Sequence, residues 1–170
     1  MPEFTLDCGN IEGRPSFDAL PAIVRGYIEA AFFTGVRFWP VDGQPFEVEE
    51  AGFLDLDPEG LEQMKADALR FWIENRRDIA AAIEAAPDYD LTRAGHDLWF
   101  SRNGHGTGFW DRGLGDIGER LDAAAASMGE CDLFAEPAPP GWRVLVEQFE
   151  TPPLTDAERA ALAAMTGESP

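Results

Sequence analysis

The sequence predicts an α+β fold, a mainly helical single domain with a small antiparallel sheet or hairpin. Three observations point there. Apolar residues recur at helical spacing in several stretches bounded by capping and stop residues. Two short β-prone runs lie close together in the last third of the chain. Hydrophobic residues make up 45% of 170 residues, enough for one core without help from metal or disulfide. Residues 1–150 are expected to form the compact domain, and 151–170 a short C-terminal helix and tail.

The first helix is expected over 17–33. Leu20, Ile23, Val24, Tyr27, Ile28 and Ala31 share one face, Pro21 suits the first turn, and Gly35 follows as a stop. Val36-Arg37-Phe38-Trp39 is short and β-prone, Asp42-Gly43 reads as a turn, and 40–56 reads as an acidic loop. Asp57-Pro58-Glu59 opens a helix over 58–85 with Asp as cap and Pro at the first helical position. Its stripe is Leu61, Met64, Ala68, Trp72, Ile79 and Ile83, and Pro87 ends it. Asp90 caps a third helix over 91–102, which buries Leu91, Leu98 and Trp99 despite the glycine at 95. Asn103-Gly104 suits its left-handed stop.

A glycine-rich loop follows to Gly115. Asp116-Ile117-Gly118-Glu119 has the pattern of a capping box and opens a helix over 116–128, faced by Ile117, Leu121, Ala124 and Met128 and closed by Gly129. Strands are expected over 131–135 and 142–149, joined by the stiff segment 137–141. Thr155-Asp156-Ala157-Glu158 is a second capping box, starting a helix that ends near Met165. Trp72, Trp99, Phe109 and Trp110 are the aromatics expected to fill the core.

Thirty-two acids face thirteen bases, a net charge of −19. Residues 1–60 hold 12 acids and 3 bases, 61–120 hold 11 and 8, and 121–170 hold 9 and 2, so the flanks carry the excess. Such a balance excludes direct nucleic-acid binding as the main activity, because that affinity comes from Lys and Arg displacing counterions. It likewise argues against anionic membrane surfaces and in favour of a basic partner. The densest run lies between Arg37 and Lys65. Asp42, Glu47, Glu49, Glu50, Asp55, Asp57, Glu59 and Glu62 stand there with no base among them, and form the candidate interaction surface. All the positive charge except Lys65 is Arg, which tolerates burial better than Lys, so some of these Arg are expected as internal braces. Cys8 and Cys131 are read as thiols of a reducing cytoplasm, and no stretch is apolar enough to span a bilayer.

The segment 96–112 concentrates chemistry-bearing side chains: His96, Asp97, Trp99, Arg102, His105, Phe109, Trp110, Asp111 and Arg112. One reading makes it a scaffold. Its glycines supply backbone freedom, the three aromatics plug the core, and Arg102 and Arg112 pair with Asp97, Asp111 or helix-end carbonyls. The other makes it a catalytic or metal loop in which His96, His105, Asp97 and Asp111 converge. The spacing of the two histidines fits no strong metal motif, and Gly104-His105-Gly106-Thr107-Gly108 lacks the context of a phosphate loop. The expectation is a scaffold with no cofactor and no metal.

Two stretches, Gly26-Tyr27-Ile28-Glu29-Ala30-Ala31-Phe32-Phe33-Thr34 and the run from Gly95 through His96-Asp97-Leu98-Trp99-Phe100-Ser101-Arg102-Asn103-Gly104 to Gly113, resemble a family of small acidic proteins encoded by bacteriophages and mobile elements. The helix from Gly118 to Met128 and the strand after it fit the same pattern, whereas 137–141 and the tail after Glu150 depart from it. The family has no assigned activity, so the resemblance implies no catalytic residue. It implies an accessory protein acting in the cytoplasm of a bacterial host. Resemblance and charge together lead to an expected function: a non-enzymatic inhibitor of a host nucleic-acid-binding defence complex, of the anti-CRISPR or anti-restriction kind. It would act as an acidic mimic of nucleic acid on a CRISPR effector or restriction enzyme. Two alternatives stay open, a small metal- or His-dependent enzyme built on 96–112 and an acidic interaction domain without mimicry.

Overall fold

A computed structural model describes residues 15–40, 43–147 and 152–166. Asp42 and Cys8 lie outside the described residues. Among the described residues five helices lie with a four-stranded sheet, so the mainly helical α+β expectation holds. The first helix, α1 (Ala22–Phe33), starts later than expected. Leu20 precedes a proline and is extended, which ends a separate 3-10 turn at Phe17–Ala19. Pro21 is therefore the cap of α1 rather than part of its first turn.

Gly35 takes φ +103 and turns the chain into β1 (Arg37–Phe38). The expected irregular loop over 40–56 holds two short elements, β2 (Phe46–Glu47) and a 3-10 turn at Phe53–Asp55. Each is too brief to leave a periodic signal. The second helix, α2 (Pro58–Ala85), has the expected bounds, and the Asp57 carboxylate accepts the Glu59 amide at 2.9 Å. It bends at Asn75 (φ −107, ψ 17), where the side-chain amide donates to the Phe71 carbonyl at 2.9 Å and competes with the helical ladder.

The third helix, α3 (Leu91–Arg102), begins as expected at Asp90, which accepts the Arg93 amide at 2.8 Å. Gly95 is the reason α3 can lie where it does. A Cβ there would stand 2.2 Å from the Ile23 carbonyl, and one on Gly26 would stand 2.0 Å from the Thr92 carbonyl. The two glycines thus let the backbones of α1 and α3 touch. α4 (Asp116–Ala126) corrects one expectation: its cap is Gly115 at φ +56, and Asp116 is already helical. Asp116 and Glu119 still place negative charge at the positive end of the helix.

Strands β3 (Asp132–Ala138) and β4 (Gly141–Glu147) pair antiparallel, with Leu133 opposite Val146 and Ala135 opposite Val144. The sheet order is β2-β1-β3-β4, and β1 runs parallel to β3, so the sheet is mixed rather than wholly antiparallel. Leu133, Ala135 and Val144 are buried, whereas Phe134 and Leu145 are only half-buried on the opposite face. Among the described residues, no helix is long and apolar enough to cross a membrane.

Trp99 and Phe109 are core residues and Trp72 is half-buried, but Trp110 is 58% exposed, contrary to expectation. Phe109 and Trp110 are neighbours in a tight 3-10 turn (Phe109–Asp111) and cannot both point inward. Phe109 does so, stacking on Phe71 with ring centroids 5.7 Å apart.

The last helix, α5 (Asp156–Thr166), carries the expected capping box: Glu158 accepts the Thr155 amide at 2.6 Å, and Thr155 Oγ1 accepts the Glu158 amide at 3.2 Å. Arg70 of α2 ties it down, donating to Glu158 at 2.8 Å and to the Pro152 carbonyl at 2.9 Å.

Replacing Gly95 with Ala is expected to cost about 3 kcal/mol, because its collision is with backbone that cannot swing away. Urea unfolding checks this, and a loss under about 0.5 kcal/mol contradicts the close crossing. The Arg70 guanidinium and the Thr155 groups hold the Glu158 carboxyl at about 2, below its ordinary 4.5. A depressed carboxylate stabilises the fold fully above its unfolded pKa, so this tether weakens as pH falls from 4.5 toward 2. An NMR titration should find the Glu158 midpoint near 2, and Arg70→Gln should raise it toward 4.5.

Candidate functional site

The 96–112 segment divides by the helical period. In α3, Trp99 and Arg102 lie three residues apart and both turn toward α1. Trp99 Nε1 donates to Thr34 Oγ1 at 2.9 Å and its ring meets Tyr27 edge-on. Arg102 is 4% exposed and reaches four groups in three parts of the chain. Nη1 donates to Asp67 of α2 at 2.7 Å and to the Tyr27 hydroxyl of α1 at 2.5 Å. Nε donates to the Gly129 carbonyl at 2.5 Å and Nη2 to that of Met128 at 3.4 Å, beyond the end of α4. Burial alone pushes the Arg102 pKa down, but Tyr27, Asp67 and Cys131 outweigh it and the net shift is upward. Burial also pushes the Cys131 thiol up to about 12, so it stays protonated.

Two positions before Trp99 on the helix, Asp97 faces the other way and is 1% exposed. Arg112 grips it bidentately, Nη2 at 2.6 Å and Nε at 2.9 Å from Oδ1, and the Tyr89 hydroxyl donates to Oδ2 at 2.8 Å. Asp111 accepts Thr107 Oγ1 at 2.9 Å and the Gly108 amide at 3.1 Å, which closes the loop on itself. Gly108 takes φ +152, and a Cβ there would lie 2.2 Å from Ser101 Oγ. Ser101 Oγ instead accepts the Phe109 amide at 3.1 Å and so seats Phe109 in the core.

The two histidines diverge. His96 Nε2 meets Glu29 of α1 at 2.9 Å, and with a carboxylate as partner this nitrogen carries the proton. Its Nδ1 is buried and has no hydrogen-bond partner among the described residues. His105 packs edge-on against Phe100 at 6.1 Å, and burial pushes its pKa below the usual value. Among the described residues, no group of three His, Cys, Asp or Glu could hold a metal ion.

A cleft of about 440 Å3 does open beside α3, lined by Tyr89, Arg93, His96, Asp97 and Arg112. Both oxygens of Asp97 are engaged, one nitrogen of His96 is engaged and the other buried. The carboxylate that lines the cleft, Asp97, is thus already paired. Arg112 pairs with Asp97 and Arg102 with helix-end carbonyls, as the scaffold reading requires, but Arg102's acid is Asp67. That partner was legible in principle: Asp67 stands three residues after Met64, on the apolar stripe of α2, where an unpaired carboxylate would be costly. Glu29 and Tyr89 were missed because their partners lie on other elements or across a turn.

The acidic run does not behave as one patch. Glu47, Glu49, Glu50 and Glu59 are exposed and carry no ion pair among the described residues. Asp55 caps the Gly52 amide at 2.8 Å, and Asp57 caps α2. Glu62 pairs with Lys65 at 2.7 Å, so the run's last charge is partly neutralised.

Changing Arg102 to Leu is expected to cost about 3–5 kcal/mol, because it strands the Asp67 carboxylate in the interior. Arg102→Leu combined with Asp67→Leu should recover most of that loss in urea unfolding. Phe109→Ala should cost about 3–5 kcal/mol, whereas Trp110→Ala should stay within about 1 kcal/mol of the parent. The same unfolding series checks both, and equal losses at the two positions would contradict the observed burial.

Compared with protein-family models, with curated proteins and with solved structures, the chain matches none.

Proposed function

We propose that this chain is a phage-type inhibitor that binds the basic, nucleic-acid-binding face of a host defence complex through its acidic surface. The target is of the CRISPR-effector or restriction-enzyme kind. The observation that carries this reading is how the charge is deployed. The two buried carboxylates, Asp67 and Asp97, are each met by one Arg, Arg102 in the interior and Arg112 at the surface. Among the described residues every other acid is at least partly exposed. Further Arg are held by their own chain: Arg25 donates to the Asp18 and Leu20 carbonyls, and Arg70 holds α5. What remains outside is a predominantly acidic surface, in which Arg37, Arg76, Arg77 and Arg143 are exposed as well. Duplex DNA carries one negative charge per roughly 1.7 Å, and a fixed array of carboxylates can occupy the same basic groove.

The test is selective loss. Glu47, Glu49 and Glu50 are neighbouring exposed acids, interrupted only by the buried Val48, and among the described residues they cap no helix. Reversing all three to Lys should abolish capture of the target from a bacterial lysate, with the melting temperature held or raised by relief of self-repulsion. Added duplex DNA should release the captured target from the parent protein. Capture that survives both the reversals and the DNA would refute the reading.

A further inference from the structure

Resting on that reading, the structure points to the partner's contact chemistry. Three aromatic rings form a row across one end of the sheet. Phe46 of β2 meets Phe38 of β1 edge-on at 5.4 Å, and Phe38 meets Trp142 of β4 at 5.2 Å with planes tilted by 54°. The register explains the row. Phe38 and Phe46 are direct partners, Trp142 lies opposite Pro137, and at the level of these rings β3 places Ala135 and Pro137 between β1 and β4. Small side chains there let the rings on either side reach across to each other.

Helices do not finish covering the row. Phe46 is 49% exposed, Phe38 and Trp142 are half-buried, and Trp39, the residue after Phe38, is 55% exposed at the same end of the sheet. These rings include two of the chain's five large exposed apolar side chains among the described residues. Carboxylates stand at both ends. Glu47, Glu49 and Glu50 adjoin Phe46 along the chain, and Asp55 Oδ1 lies 3.9 Å from the Cβ position of Gly141, beside Trp142.

We propose that this aromatic row with its acidic rim is the docking anchor, and that its occupant is an arginine-bearing segment of the basic partner. A guanidinium stacks on aromatic faces while its N–H fork engages a carboxylate, and an ammonium does the first less well and the second only as a point charge. Charge also selects among occupants. A second copy of a chain carrying −19 brings a like-charged rim, and an anionic lipid surface is repelled by the same carboxylates. A surface of carboxylates alone would suffice to imitate a phosphate backbone; exposed rings beside them supply what phosphate lacks, an apolar contact that persists at high salt.

The probes are two blocked peptides, six residues of alternating Gly and Arg and the same with Lys, titrated by NMR at 50 mM and 300 mM NaCl. The Arg peptide should shift the indole signals of Trp39 and Trp142 and bind about two- to fivefold tighter than the Lys peptide, with the preference kept at high salt. Phe46→Ala and Trp39→Ala should each weaken the Arg peptide by a similar factor, and Trp39→Phe should retain it. Both residues are well exposed, and an unchanged melting temperature verifies that each variant is folded. Equal affinity for the two peptides, or binding indifferent to both ring deletions, overturns the proposal. Concentration-dependent self-association that hides Trp39 overturns it in favour of a second copy. In each of these outcomes, lysate capture that still fails on reversing Glu47, Glu49 and Glu50 leaves the broader reading standing.

Discussion

A single guanidinium decides how the helices of this chain come together. Arg102, the last residue of α3, sits where α1, α2 and the turn after α4 meet, and each of these contributes oxygen to it: Tyr27, Asp67 and the carbonyls of Gly129 and Met128. No apolar side chain could do this, since the two carbonyls past α4 would lose their donor. The cost is a charge in the interior, tolerable only because its partner acid and three neutral oxygens surround it. Interior ion pairs of this kind contribute little net stability, but they fix one arrangement over others. Helices held at one point by directional bonds cannot slide past each other as greased surfaces can.

Around that point the interior is organised by contact distance. Gly26 and Gly95 bring α1 and α3 together at backbone separation, which turns His96 toward Glu29 and Trp99 toward Thr34. The glycine-rich loop is then drawn over the end of α3 by Arg112, Asp111 and Ser101. Its polar side chains are consumed in holding it.

Elements with local signatures were legible in the sequence. The bounds of α2 and α3 follow from Asp57, Pro58, Asp90 and Asn103, whose capping and stop chemistry acts within four residues. The same holds for Thr155 and Glu158. What escaped was non-local or too short. β1 and β2 are two residues each and exist because β3 offers an edge. The Asp116 capping box failed because Gly115, in a left-handed conformation, took the position before it. In the candidate site, the pairing of Arg112 with Asp97 was visible at a spacing of fifteen residues, while Asp67 and Tyr27 reach Arg102 from thirty-five and seventy-five away. Trp110 was assigned to the core on hydrophobicity, but a three-residue turn has only one inward direction, and Phe109 holds it.

The bend in α2 has a consequence for the size of the molecule. At about 1.5 Å per residue, 28 helical residues make a rod of roughly 42 Å. A chain of 170 residues has a radius of gyration near 15 Å, hence a diameter of roughly 40 Å. An unbroken rod would traverse the whole body and leave its far end standing in water. Asn75 occupies a place on the apolar stripe where another Leu would have kept the rod straight, and its amide breaks the ladder there. Ile79 and Ala82, beyond the break, are buried, and Asp78 is within reach of Arg120 on α4. One polar residue in a greasy row thus lets a helix as long as the domain is wide wrap its contents.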